Sequence, residues 1–127
     1  MKKLIAILAV VTLAGCSSLL DYIPSRWDAN QAKSITDIQL STRQLDCKGN
    51  IDVALTQIET DIQWFQIYAQ SKGTKDVGNL SQTIATTVNE FQMRKKQGSV
   101  SPVYCDLKKK LMIQQADILA RAVQGRF

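Results

Sequence analysis

The sequence predicts an all-α fold, a small antiparallel bundle of about four helices locked by one disulfide. Three observations carry that expectation. Apolar residues recur at three- and four-residue spacing in four successive stretches of about twenty residues each. No stretch shows sustained strand alternation with turn signals, and no internal repeat is present. Cys47 and Cys105 fall at the helix one–two corner and in the first turn of helix four, places that an up-down-up-down path brings to the same end. The chain has 127 residues, 45% hydrophobic and 21% charged, which suits one domain and is too short for two of ordinary size.

The helical domain is expected over 25–127. Helix one runs over 26–45, with Ser25 as its cap and Asp28 three residues on. Trp27, Ile35, Ile38, Thr42 and Leu45 share one face. Helix two follows Gly49, with Asn50 as N-cap. Its apolar positions Ile51, Leu55, Ile58, Ile62, Phe65 and Ala69 are spaced 4, 3, 4, 3, 4, a seam for packing on other helices, and Gly73 ends it.

Helix three is expected to begin near Asn79, with Gln82 placed for a capping box and Leu80, Ile84, Val88 and Phe91 as its stripe. Arg94, Lys95 and Lys96 occupy its last turn, where cations suit the helix dipole, and Gly98 stops it. Helix four opens on Ser101-Pro102, a cap followed by proline at the first helical position. Tyr104, Leu107, Leu111, Ile118 and Ala122 line up on one face of it, and Gly125 closes it.

The N-terminus has a different logic. Lys2 and Lys3 precede an apolar run of about a dozen residues, well short of the ~20 needed to cross a bilayer as a helix. A basic start, a short apolar run and small residues at its end describe an export signal that is removed. The last four residues, Leu13-Ala14-Gly15-Cys16, match a lipobox at every position, so the segment resembles the signal of a bacterial lipoprotein. The resemblance implies a cleaved signal over 1–15, a diacylglyceryl thioether on Cys16, an acylated (palmitate-type) amine, and an acylated tether over 16–24. Ser17, where an Asp would direct inner-membrane retention, implies the outer membrane, facing the periplasm. Several acyl chains hold firmly where one holds weakly, because each buried methylene contributes ~0.8 kcal/mol.

With Cys16 assigned to lipid, Cys47 and Cys105 are an even pair in an oxidising compartment. A disulfide is the first reading. Two free thiols, or a metal pair completed by carboxylates, are the alternatives, and no CxxC spacing supports metal.

Formal net charge is +5 for 16 Lys and Arg against 11 Asp and Glu, and removal of Lys2 and Lys3 leaves about +3. That mild excess does not describe a nucleic-acid binder. His is absent, which excludes a His-based triad, a Cys-His dyad and a zinc finger. Lys33-Ser34 are adjacent and do not face each other on a helix, and Glu59 and Asp61 point to different faces. No catalytic residue, metal site or cofactor is therefore expected.

Two features suit binding. Arg43, Lys48, Arg94, Lys95, Lys96, Lys108, Lys109 and Lys110 all map to the cysteine end of the bundle, and such a tip suits an anionic glycan or another envelope component. On the back of helix two, Val53, Trp64 and Ile67 form a second apolar stripe with Thr56 and Thr60, either sandwiched within the domain or offered to a partner. Near the anchor, Tyr22 and Trp27 suit a membrane interface, or Ile23 staples helix one. The expected role is non-catalytic binding or scaffolding in the cell envelope. An exclusion or immunity lipoprotein of a phage or mobile element is the second reading, and a small envelope hydrolase the third. Nothing in the sequence sets the oligomeric state.

Overall fold

The computed structural model describes residues 26–126. The expected signal, Cys16, the tether and the Ser25 cap lie outside the described residues. Four helices make up the described chain: α1 (Ala29–Gln44), α2 (Ile51–Ser71), α3 (Lys75–Lys96) and α4 (Pro102–Gln124). They pack in a ring, each against its chain neighbours and α1 against α4. Cys47 and Cys105 form a disulfide, with Cα atoms 5.8 Å apart, which ties the α1–α2 corner to the first turn of α4. The antiparallel bundle and its lock are as the sequence predicts.

Local chemistry explains each end. Asp28 caps α1: its carboxylate accepts the backbone N–H groups of Asn30 (3.0 Å) and Gln31 (2.9 Å). Asn50 caps α2 by accepting the N–H of Val53 at 3.3 Å. At the other end of α2, Gly73 (φ +68°) allows the N–H of Thr74 to reach Ala69 O (2.9 Å) and that of Gly73 to reach Gln70 O (3.0 Å). This paired closure needs a residue in the left-handed region, where glycine has no Cβ to strain. Ser101 caps α4 through Tyr104 N.

α3 begins four residues before its expected start. Its N-cap residue, Thr74, makes no capping bond; its hydroxyl donates instead to Ala69 O (3.0 Å) and accepts from Gln31 Nε2 (2.7 Å). Gly78 sits inside the helix, where it costs about 1 kcal/mol relative to alanine. The extra turn offsets this by burying Val77 completely.

The core consists of Ile35, Ile38 and Leu45 from α1 and its end, the α2 seam from Leu55 to Ala69, Val77, Ile84, Val88 and Phe91 from α3, and Cys105, Met112, Ala116, Leu119, Ala120 and Val123 from α4. Each fully buried Ile, Leu or Phe contributes ~1.5–3 kcal/mol. The α4 set corrects the sequence reading. Leu107 (62% exposed), Leu111 (39%) and Ile118 (49%) face solvent, while Tyr104 and Ala122 are half-buried. The inward face of α4 combines the small Cys105, Ala116, Ala120 and Val123 with Met112 and Leu119, which fill what Phe65, Phe91 and the isoleucines of the other helices leave open. Trp27 and Leu80, expected on core faces, are likewise exposed.

Candidate functional site

The cysteine end collects the C-termini of α1 and α3 and the N-termini of α2 and α4, and all eight expected cations lie there. Five acids share that end (Asp46, Asp52, Glu59, Glu90 and Asp106) and Asp117 reaches Arg43 there, so its positive excess is modest. Four of the eight cations are committed to the fold. Arg43 Nη2 donates to Asp117 Oδ1 at 2.6 Å. Lys95 pairs with Asp52, and Lys108 with Glu90 at 2.6 Å while lying 5.8 Å from the Tyr104 ring centroid. Lys109 Nζ donates to Leu45 O at 2.6 Å, placing a cation on an unpaired carbonyl at the end of α1. Lys48, Arg94, Lys96 and Lys110 are exposed and make no ion pair among the described residues, so they are the part of the cluster available to an anion.

The second surface is the outward side of α2. Trp64 is 52% exposed, Val53 64% and Ile67 69%, with Thr56 and Thr60 exposed among them. The sandwiched alternative for this stripe is thereby overturned: the seam residues already fill the space towards α1 and α3. Trp64 stacks on Tyr68, ring centroids 5.2 Å apart and planes 6° apart. The Tyr68 hydroxyl lies 3.3 Å from Asp28 Oδ2 and accepts from Asn30 Nδ2 at 3.1 Å, so the indole rests on a ring fixed to the start of α1. Gln31's backbone N–H holds the Asp28 carboxyl below the usual carboxylate range, helped by that hydroxyl and by Asn30 N–H.

The groove between α1 and α2 is lined by Asn30, Lys33, Ser34, Asp37, Thr60, Asp61 and Trp64. Sequence reasoning does not bring Asp37 and Asp61 together, since they are 24 positions apart on different helices; only the packing does. Each is tied within its own helix, Asp37 to Lys33 (2.9 Å) and Asp61 to Gln57 Nε2 (2.8 Å), and both are half-buried. Lys33 is therefore turned to Asp37 rather than to Ser34. Glu59 faces the other groove of α2, where it accepts from Gln92 Nε2 at 2.9 Å.

A third surface was hidden by the face assigned to α4. Val103 (69% exposed), Leu107, Leu111 and Ile118 form an outward apolar stripe with Lys110 and Arg121 on its edge. The helical spacing showed that these leucines share a face; which way that face points is a tertiary fact.

Among the described residues, no group of His, Cys, Asp or Glu could hold a metal ion, and no helix is long and apolar enough to cross a membrane. Compared with family models, with curated proteins and with solved structures, the chain gives no match.

Proposed function

We propose that this chain is a lipid-anchored protein of the bacterial cell envelope, held through Cys16 and facing the periplasm, that works by non-catalytic binding. The observation that carries the reading is the Leu13-Ala14-Gly15-Cys16 sequence behind a short basic and apolar leader. The disulfide between Cys47 and Cys105 is in keeping with an oxidising compartment. The outer membrane is the proposed location, from Ser17.

Binding is favoured over chemistry by what the surface offers. Large apolar side chains stand outward on α2 and α4, and unpaired cations cluster at the end of the bundle away from the start of α1. An envelope component bearing negative charge, a glycan or a protein, is the proposed partner of that end.

The anchor is tested by fractionating cells that express the full chain. The wild type is expected in the membrane fraction, with its mature N-terminal peptide heavier by its acyl groups, and Cys16→Ser in the soluble fraction. A mature chain that starts elsewhere, or an unmodified Cys16, overturns the anchor. For the tip, the suitable variant is Lys48→Glu, Arg94→Glu and Lys96→Glu together. Lys108 and Lys109 are poor targets because they also hold the fold. Retained envelope crosslinks in that variant would remove the tip from the proposal.

A further inference from the structure

The two outward apolar stripes differ in charge. α2 contains no Lys or Arg and carries Asp52, Glu59 and Asp61. α4 carries Lys108, Lys109, Lys110 and Arg121 against Asp106 and Asp117. In the ring of four helices these two are diagonal partners, so their stripes lie on opposite sides of the molecule. Both helices start at the cysteine end and run the same way.

We propose that α2 of one copy packs along α4 of a second copy, the two helices parallel. Heights along the bundle match this pairing. Counted from helix starts that both lie at the cysteine end, Val53 and Val103 differ by one residue, ~1.5 Å. Ile67 and Ile118 are each sixteen residues in. Trp64 falls between Leu111 and Ile118, a projecting ring between two apolar side chains.

Charge agrees with the same arrangement. Asp61 lines the α1 side of α2. Lys110 lies on the α1 side of the α4 stripe, the side on which Asp117 meets Arg43. Moving one copy sideways without rotation keeps these flanks together, with Lys110 and Asp61 at levels ~3 Å apart. The other self-pairings are disfavoured. Two α2 faces related by a two-fold axis bring Asp61 towards Glu59, and two α4 faces bring lysines together. A contact between different surfaces on opposite sides leaves one of each free at the ends, so it extends into rows rather than stopping at a dimer. The contact does not rest on the lipid anchor, although a shared anchor keeps all copies parallel.

The test places a photoreactive benzoylphenylalanine at exposed position 67 of the full chain in intact cells. Illumination is expected to give a ladder of covalent dimers and higher species, with the captured peptide lying within 111–121 of a second copy. Lys110→Glu and Asp61→Lys should each reduce the ladder by roughly fivefold or more, and the double variant should restore it, because a charge pair across an interface is reversible only in combination. An intact Cys47–Cys105 disulfide in each variant reports that the fold persists. The proposal is overturned by capture of α2 itself, by capture of a different protein in place of a second copy, by no ladder at all, or by a double variant no better than the singles. Acylation of Cys16, read from the same cells by mass, separates failure of the anchor from failure of this contact.

Discussion

Opening the Cys47–Cys105 bond tests how the bundle is held together. The bond closes a loop with a sequence separation of 58. In the chain-entropy picture a loop of that length restricts the unfolded chain by about 4 kcal/mol. The native corner has other supports: Leu45 is fully buried, and Lys109 Nζ reaches Leu45 O from α4. The loss should therefore appear as easier unfolding, with helix content unchanged in the absence of denaturant. Cys47→Ala with Cys105→Ala is the suitable variant, since a serine at the buried position 105 would bring in a buried hydroxyl. A domain of this size has a urea slope of about 1–3 kcal/mol per M, so the midpoint should fall by roughly 1.3–4 M, with a slope equal to or above that of the wild type because the opened chain unfolds to a less compact state. Circular dichroism during urea titration, with and without reductant, reads both quantities. Reductant should shift the wild type by the same amount and leave the variant alone. A fall of less than about 0.5 M would show that the loop constraint is not what the bond supplies. Loss of helix signal before any urea is added would show that packing does not hold the corner.

Other perturbations probe separate parts of the molecule. On α4, Leu107→Gln, Leu111→Gln and Ile118→Gln should each change stability by no more than about 0.5 kcal/mol, while Leu119→Ala or Met112→Ala costs ~2–5 kcal/mol; chemical denaturation distinguishes the faces, and a reversed order would mean that α4 is rotated. Thr74→Ala removes the acceptor of a buried 2.7 Å bond from Gln31 and should cost ~1–3 kcal/mol, whereas adding Gln31→Met should recover part of it, since Gln31 Oε1 already lacks a partner. If the double variant proves less stable than Thr74→Ala alone, the corner does not depend on that pair. Asp117 is held below the usual carboxylate range by the Gln39 amide first and then by Arg43, against the opposing effect of burial. Its contribution is thus fully present above the unfolded carboxyl's pKa and disappears as pH falls through the lower folded value. Asp117→Asn should flatten the acid limb of a stability–pH curve below about pH 4 and leave the slope near neutrality unchanged. An unaltered acid limb would contradict this.

How much of this was legible in the sequence differs from helix to helix. The α2 seam could be read residue by residue because its apolar side chains repeat without interruption, and Leu55 to Ala69 all go inside, with Ile51 half-buried at the end. The start of α3 could not, since Thr74 exchanges the usual capping bond for contacts with Ala69 and Gln31, the latter 43 positions away. Gly78 also argues locally against a helix that the burial of Val77 sustains. The basic end was visible as a run of charges, yet its division into structural and available cations depends on Asp52, Glu90, Asp117 and the Leu45 carbonyl arriving from other helices.

The amino-acid order by itself determined the four helices, their antiparallel path and the pairing of Cys47 with Cys105, and it holds the Leu13-Ala14-Gly15-Cys16 sequence on which the proposed anchor rests. Those depend on local spacing, capping chemistry and short motifs, which are written along the chain. Only the tertiary structure decided that Leu107, Leu111, Ile118 and Trp64 face outward and that Asp37 and Asp61 line one groove. The physical reason is that helical periodicity shows which residues share a face and not which face is inside. That choice is made by the volume the other helices leave to fill, and on α4 the face of Met112, Ala116, Leu119 and Val123 fits it better than the face of Leu107, Leu111 and Ile118.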